Sequence, residues 1–217
     1  MEKPPFTPGT QPTTFYKSLL YAWSGLVHTV EHQRNMRMHI ISGILVSLVG
    51  AGIPLGLAEK VTLIFCVLLV LFAEMMNSAM EQLVDLATQQ FDEKAKLTKD
   101  IAAAAVLVLA IGTVVIFAAV LVHNAQTLFN NLPAIQRQVM VGVPLTFFCG
   151  ALMHESKKPL ALDVVFSLGA LMCWALSLQW TESEVFSSMS LGFLILCAAT
   201  AVKRHMVRHK VLTAGSK

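Results

Sequence analysis

Residues 58–88 read AEKVTLIFCVLLVLFAEMMNSAMEQLVDLAT, and two kinds of sequence are joined in them. From Val61 to Ala73 the chain is uncharged and almost wholly apolar. Glu74 ends that run, and Asn77, Glu81 and Asp85 follow among Met, Leu and Val. A helix rises 1.5 Å per residue, so about 20 residues cross the roughly 30 Å hydrocarbon core of a bilayer. The stretch therefore reads as a membrane helix from near Ala58 to about Thr88, apolar in its first half and polar at its far end.

The remainder of the chain agrees with a lipid solvent. Of the 217 residues, 55% are hydrophobic and only 13% charged, about half the charge of a soluble domain. The mean hydropathy is +0.65. Ile101 to Val122, Gln138 to Met153 and Val164 to Thr181 carry no charged residue. The fold class expected is an all-α membrane protein of six spans. The first is expected over about Met38 to Ile53, before a turn rich in Gly50, Gly52, Pro54 and Gly56. The second is the stretch above, and the third runs from Asp100 to Val122. After an outer loop at 123–137, three more follow near 138–153, 161–179 and 185–202. Lys17 to Gln33 has helical spacing of apolar residues with Tyr21 and Trp23 among them, as in an amphipathic helix lying on the surface. Residues 1–14, rich in Pro and Thr, read as a disordered lead-in. No secretory signal peptide is evident.

The positive charges orient this arrangement. With the N-terminus cytoplasmic, only Lys60 and Arg137 among the 16 Lys and Arg fall on the outer side. That is the positive-inside asymmetry. The basic tail reads as an anionic-lipid contact or a topology signal. Cys66, Cys149, Cys173 and Cys197 sit in apolar runs without metal spacing and read as small core or lipid-facing residues. There is no internal repeat, no Gly-rich nucleotide loop and no nucleic-acid motif.

Glu74, Asn77, Glu81 and Asp85 are spaced by three, four and four, which places them on one face of a helix. Ionisable groups within a span are costly and mark function by default. This stripe runs from the apolar interior toward the charged loop containing Lys94, Lys96 and Lys99. Such a gradient suits a site between lipid and water. The deep carboxylate is positioned to act as a general base on a lipid hydroxyl. The shallower ones suit Mg2+, and the lysines suit phosphate. Two other uses of the same stripe stand beside this one: hydrogen bonding between helices, and a proton or cation relay.

Three blocks resemble one family. Glu74-x-x-Asn77-Ser78-Ala79-x-Glu81-x-x-Val84-Asp85 is similar to the signature of the bacterial integral-membrane diacylglycerol kinases and undecaprenol kinases. Lys99-Asp100 followed by alanines resembles the opening of that family's third span. Tyr21-Ala22-Trp23-Ser24-Gly25-Leu26 with Gln33-Arg34-Asn35-Met36-Arg37-Met38-His39 resembles its N-terminal region. The resemblance covers residues 15–122, which reads as a lipid kinase core of a surface helix and three spans. Residues 123–217 form a three-span extension outside it.

The resemblance implies ATP- and Mg2+-dependent phosphorylation of a lipid hydroxyl, in diacylglycerol or undecaprenol, at the cytoplasmic face of a bacterial inner membrane. It implies Glu74 as catalytic base, and Glu81 as metal ligand with Gln33 at the second ligand position. Tyr21, Gln33, Glu81, Asp85, Lys99 and Asp100 fall on the ATP side, and Trp23, Asn35, Arg37 and Asn77 on the lipid side. A homotrimer with shared sites is implied as well. The departures are specific. Gln33 stands where the diacylglycerol kinase branch carries a metal-binding Glu, and an amide offers only one neutral carbonyl oxygen. Glu31 could compensate only through a backbone shift. The family's early Arg has no counterpart beyond Thr14 or Lys17. Arg34-Asn35-Met36-Arg37-x-His39 leans toward the undecaprenol kinases. The extension shows no lipid-phosphatase motif, and His154-Glu155-Ser156-Lys157-Lys158 reads as a charged loop. A catalytically inactive scaffold and an ion transporter remain the rival readings.

Overall fold

In a computed structural model, which describes residues 14–154 and 158–214, the chain is helical throughout the described residues except for turns. α1 (Phe15–His32) and α2 (Arg34–Ala51) are separated by Gln33, whose extended backbone (φ −101°, ψ 116°) breaks the helix. α3 (Leu57–Ala87) and α4 (Glu93–His123) form a long hairpin, with Asp92 capping the start of α4 through its side chain. A short helix, α5 (Ala125–Asn130), occupies the expected outer loop. It is followed by α6 (Leu132–Met153), α7 (Leu160–Ser177) with a 3-10 turn (Leu178–Trp180), and α8 (Glu184–Ala214). The lead-in at 1–13 and residues 155–157 and 215–217 lie outside the described residues.

Among the described residues, five helices are long and apolar enough to cross a membrane, where the sequence reading expects six spans: α3, α4, α6, α7 with its 3-10 turn, and α8. The expected first span is α2, and it falls short for a physical reason. It starts at Arg34 and Arg37, carries Asn35, His39, Ser42 and Ser47, and buries eight of its residues against protein rather than lipid. A helix walled in by α3, α6 and α8 has no need of an apolar exterior. It nevertheless runs the length of the bundle. Glu31, just before it, pairs with Lys203 near one end of α8, while Ala51 accepts a 2.7 Å backbone hydrogen bond from Glu182 near the other.

The core is built around α2. Met36, Ile40, Ile44 and Leu48 are buried against Leu145, Cys149 and Leu152 of α6 and Phe193, Leu196 and Cys197 of α8. At the far end Ala51, Ile53 and Leu63 close around Phe186. The helices C-terminal to residue 123 thus pack directly onto the helix that the sequence assigns to the kinase core. By contrast, α4 rests chiefly on α3, and Val106 is its only buried residue. Its other apolar side chains face outward, as a helix bathed in lipid requires. All four cysteines are free and buried.

Close packing at the end of α2 gives a direct test. A Cβ added at Gly50 would lie 2.6 Å from Cε2 of the buried Phe186, whereas one at Gly112 meets nothing within 4 Å. Gly50→Leu is expected to destabilise the protein by about 1–3 kcal/mol through overpacking. Gly112→Leu on the lipid-facing helix is expected to be neutral or stabilising by under about 1 kcal/mol, since Gly is a poor helix former. Thermal unfolding in detergent distinguishes the two.

Candidate functional site

The polar stripe on α3 lies on one helical face and is graded in depth. Glu74 is 1% exposed and Asn77 5%, Glu81 is half-buried, and Asp85 is exposed. Neither oxygen of Glu74 has a hydrogen-bond partner, and Oδ1 of Asn77 is likewise unpartnered. The helix forms because the apolar run before Glu74 packs its Leu63, Cys66, Val67 and Val70 inward, so the stripe that follows continues the same buried face.

Gln33 supplies the link to the N-terminal helices. Because the backbone breaks there, its side chain turns to α3, and Nε2 donates to Oε2 of Glu81 at 3.3 Å. Nδ2 of Asn77 donates to Oε1 of the same carboxylate at 3.2 Å. Residues 48 positions apart are thereby joined at one carboxylate. At the shallow end Nζ of Lys99 meets Oδ1 of Asp85 at 2.5 Å, an exposed pair between α3 and α4.

Two small crevices open along α2, α3 and α4. The first, about 240 Å³, is lined by Asn35, Met38, His39, Glu74 and Asn77, with Val106 and Ala110 of α4 on its far side. The second, about 220 Å³, continues from His39 and Ala110 along Gly43, Val67 and Val70. Glu74 therefore faces a cleft with a polar upper part and an apolar continuation.

The expected residues fall into groups. Gln33, Asn77 and Glu81 are joined by hydrogen bonds, Asn35, Glu74 and Asn77 share one crevice, and Asp85 and Lys99 pair. Arg37 turns elsewhere and donates from Nη1 to the carbonyl of Glu31 at 2.9 Å. Tyr21, 65% exposed, and Trp23, 40% exposed, project from α1, and Asp100 is exposed on α4. These do not join the cluster. Glu31 does not replace the missing acid either, since its carboxylate lies 3.4 Å from Nζ of Lys203 on α8.

His39 is the functional-site residue the sequence reading did not assign. Its spacing of four from Asn35 places both on one face of α2, and both line the cleft. His28, Glu31 and His32 form a second polar cluster, their ligating atoms within 4.8 Å of one another. Protein groups already close it: Lys203 pairs with Glu31, and Nδ1 of His32 lies 2.9 Å from the carbonyl of His28.

The fold and site define a membrane protein with a carboxylate lining a cleft between α2, α3 and α4. Residues 20–121 match the family model described as prokaryotic diacylglycerol kinase. A diacylglycerol kinase of Synechocystis sp. is 37% identical over 100 residues, which are 46% of this chain and 57% of that protein. An undecaprenol kinase of Bacillus subtilis is 32% identical over 97 residues, 45% of this chain and 79% of that protein. A diacylglycerol kinase of Escherichia coli K12 is 29% identical over 103 residues, 48% of this chain and 84% of that protein. No solved structure matches the chain. The chain belongs to the prokaryotic diacylglycerol kinase family and is by family a lipid kinase.

Acid should loosen the docking of α1. Burial first, then the charges of His32 and Lys203, pull the pKa of His28 below its ordinary 6.5, with Glu31 opposing. Protonating His28 is therefore harder in the folded protein than in the unfolded chain. The folded state is unaffected above about pH 6.5 and loses stability as the pH falls below it, through the lowered folded value. Melting temperatures measured between pH 8 and pH 5 should fall less steeply in His28→Gln than in the wild type.

Proposed function

We propose that the protein transfers the γ-phosphate of ATP to the hydroxyl of a membrane lipid, diacylglycerol or undecaprenol, at the cytoplasmic face of a bacterial inner membrane. The observation that carries this reading is Glu74: a carboxylate buried at lipid depth, with both oxygens unpartnered, lining a crevice that continues into apolar surface. The lipid enters sideways from the bilayer, its tail along the apolar continuation and its hydroxyl at Glu74. As the oxygen bonds to the γ-phosphorus and the bond to ADP breaks, Glu74 takes the hydroxyl proton. Asn77 and Asn35 orient the alcohol, with Arg37 and Trp23 at the headgroup boundary. Phosphoryl transfer is mainly positioning and charge stabilisation, so no P-loop is required.

The nucleotide sits at the shallow end, over Glu81, Asp85, Lys99 and Asp100, with Tyr21 approaching from α1. A donor set of hard oxygens suits Mg2+: the half-buried Glu81 carboxylate, the Gln33 amide oxygen and the unpartnered Oδ1 of Asn77. Glu81 and Gln33 would hold that ion, which supplies neutralising charge to the phosphates. Lys99 is held near the site by Asp85, an exposed pair worth little to stability. Both termini are cytoplasmic in this reading, because the positive charges then gather on that side. A homotrimer belongs to the same proposal, with the outward apolar face of α4 as the surface left for it.

The test is transfer of labelled γ-phosphate from ATP to diacylglycerol and, separately, to undecaprenol, in micelles with Mg2+. The wild type should label one lipid, and Glu74→Gln should lose about 10²–10⁴-fold in rate. No label in either lipid from folded protein would favour an inactive scaffold, with Gln33 as its cause. If Gln33 is the weak metal ligand, Gln33→Glu should lower the Mg2+ concentration needed for half-maximal rate severalfold. An unchanged requirement would remove Gln33 from the metal site.

A further inference from the structure

Apart from the Glu74 cleft, a groove of about 690 Å³ lies on the opposite face of α2, bounded by α6 and α7. Ile41 and Leu45 of α2, Val143 and Phe147 of α6, and Phe166 of α7 make its walls apolar. On α2, residues 39, 42, 43 and 46 face the cleft while 41 and 45 face the groove, which helical geometry places on different sides. One helix thus separates two lipid-facing hollows.

The groove has a polar mouth at one end only, formed by His154 and Lys158 in the segment between α6 and α7. Lys158 lies with its ammonium 5.6 Å from the centre of the Phe166 ring, directly where the apolar wall begins. It donates to the carbonyl of Ala151, which leaves further donors on the same nitrogen. The segment is held in place from α8. Arg204 donates to the carbonyls of His154 and Leu152, at 2.6 and 3.2 Å, and Arg208 to that of Lys158 at 3.3 Å. The carboxylate of Asp163 near this end is buried, with Oδ2 2.8 Å from both Arg204 and His205 and Oδ1 unpartnered.

We infer that this groove is a second lipid site, which takes the acyl chain of an anionic phospholipid along Ile41, Phe147 and Phe166 and its headgroup phosphate at Lys158 and His154. Its size falls in the range of ligand-sized pockets, and a cationic mouth over an apolar slot complements a charged headgroup on a hydrocarbon tail. Burial, opposed by Asp163 and helped by Arg204, lowers the pKa of Lys158, and a bound phosphate would favour its charged form. Apart from Ile41 and Leu45 of α2, its lining residues lie beyond the family match at 20–121, and the proposal does not depend on the kinase reading.

The full chain in nanodiscs tests it, loaded with photoactivatable phosphatidylglycerol or with phosphatidylcholine carrying the same reactive chain. Mass spectrometry then locates the adducts. Phosphatidylglycerol should label peptides of α6 and α7 at least fivefold more than phosphatidylcholine does. Lys158→Gln should reduce that preference severalfold. Gly150→Phe should abolish the labelling by filling the groove, where an added Cβ meets only Cδ1 of Ile41, at 3.9 Å. If Gly150→Phe does not fold, Lys158→Gln alone carries the test. Equal labelling by the two lipids, or a preference untouched by Lys158→Gln, would overturn the proposal.

Discussion

Glu74 holds a buried carboxyl group, and no protein group hydrogen-bonds to either of its oxygens. Burying such a group without partners costs several kcal/mol. A sequence drifting under stability alone would replace it with Leu or Met, which already surround it. Everything near the cleft accommodates that one group. The apolar run before it sets its depth, Asn77 one turn later lines the same crevice, and Glu81 another turn on takes the hydrogen bonds that Glu74 lacks. The stripe reaches charge partners only at Asp85, where water is available.

The second constraint is α2. It falls short of the apolarity of the five membrane-length helices and is enclosed by α3, α6 and α8, and the two facts belong together. A helix buried among protein helices can carry Asn, His and Ser because neighbouring side chains and its own carbonyls satisfy them. Ser47, for example, donates to the carbonyl of Gly43 at 2.7 Å. Its two faces serve different hollows, and α6 and α8 make that possible by covering the side that α3 and α4 leave open. The extension is therefore structurally continuous with the rest: the Glu31–Lys203 pair and the Ala51–Glu182 hydrogen bond tie α8 to both ends of the N-terminal helices.

Much of this was legible in the sequence. The spacing of 74, 77, 81 and 85 is local to one helix, so period alone places those residues on one face and in order of depth. The span boundaries after residue 57 also follow from uncharged runs. What could not be read depends on contacts between distant segments. Gln33 meets Glu81 only because the chain breaks at residue 33, and no residue type announces that break. Asp163 finds Arg204 and His205 41 and 42 residues away, so the tail arginine that looks free for lipid is instead held in a buried pair. The apolarity of a span likewise says nothing about whether protein or lipid surrounds it, and this is why α2 departs from the expected pattern.

The most direct test of the central claim asks whether Glu74 is reached from the lipid. A hydrophobic carbodiimide and a water-soluble one can be reacted with the membrane-embedded protein, and the modified carboxyls located by mass spectrometry. The account predicts that the hydrophobic reagent modifies Glu74, that the water-soluble one reaches Asp85 but not Glu74, and that added substrate lipid slows the reaction at Glu74. Modification of Glu74 by the water-soluble reagent, or labelling that no lipid slows, would contradict it.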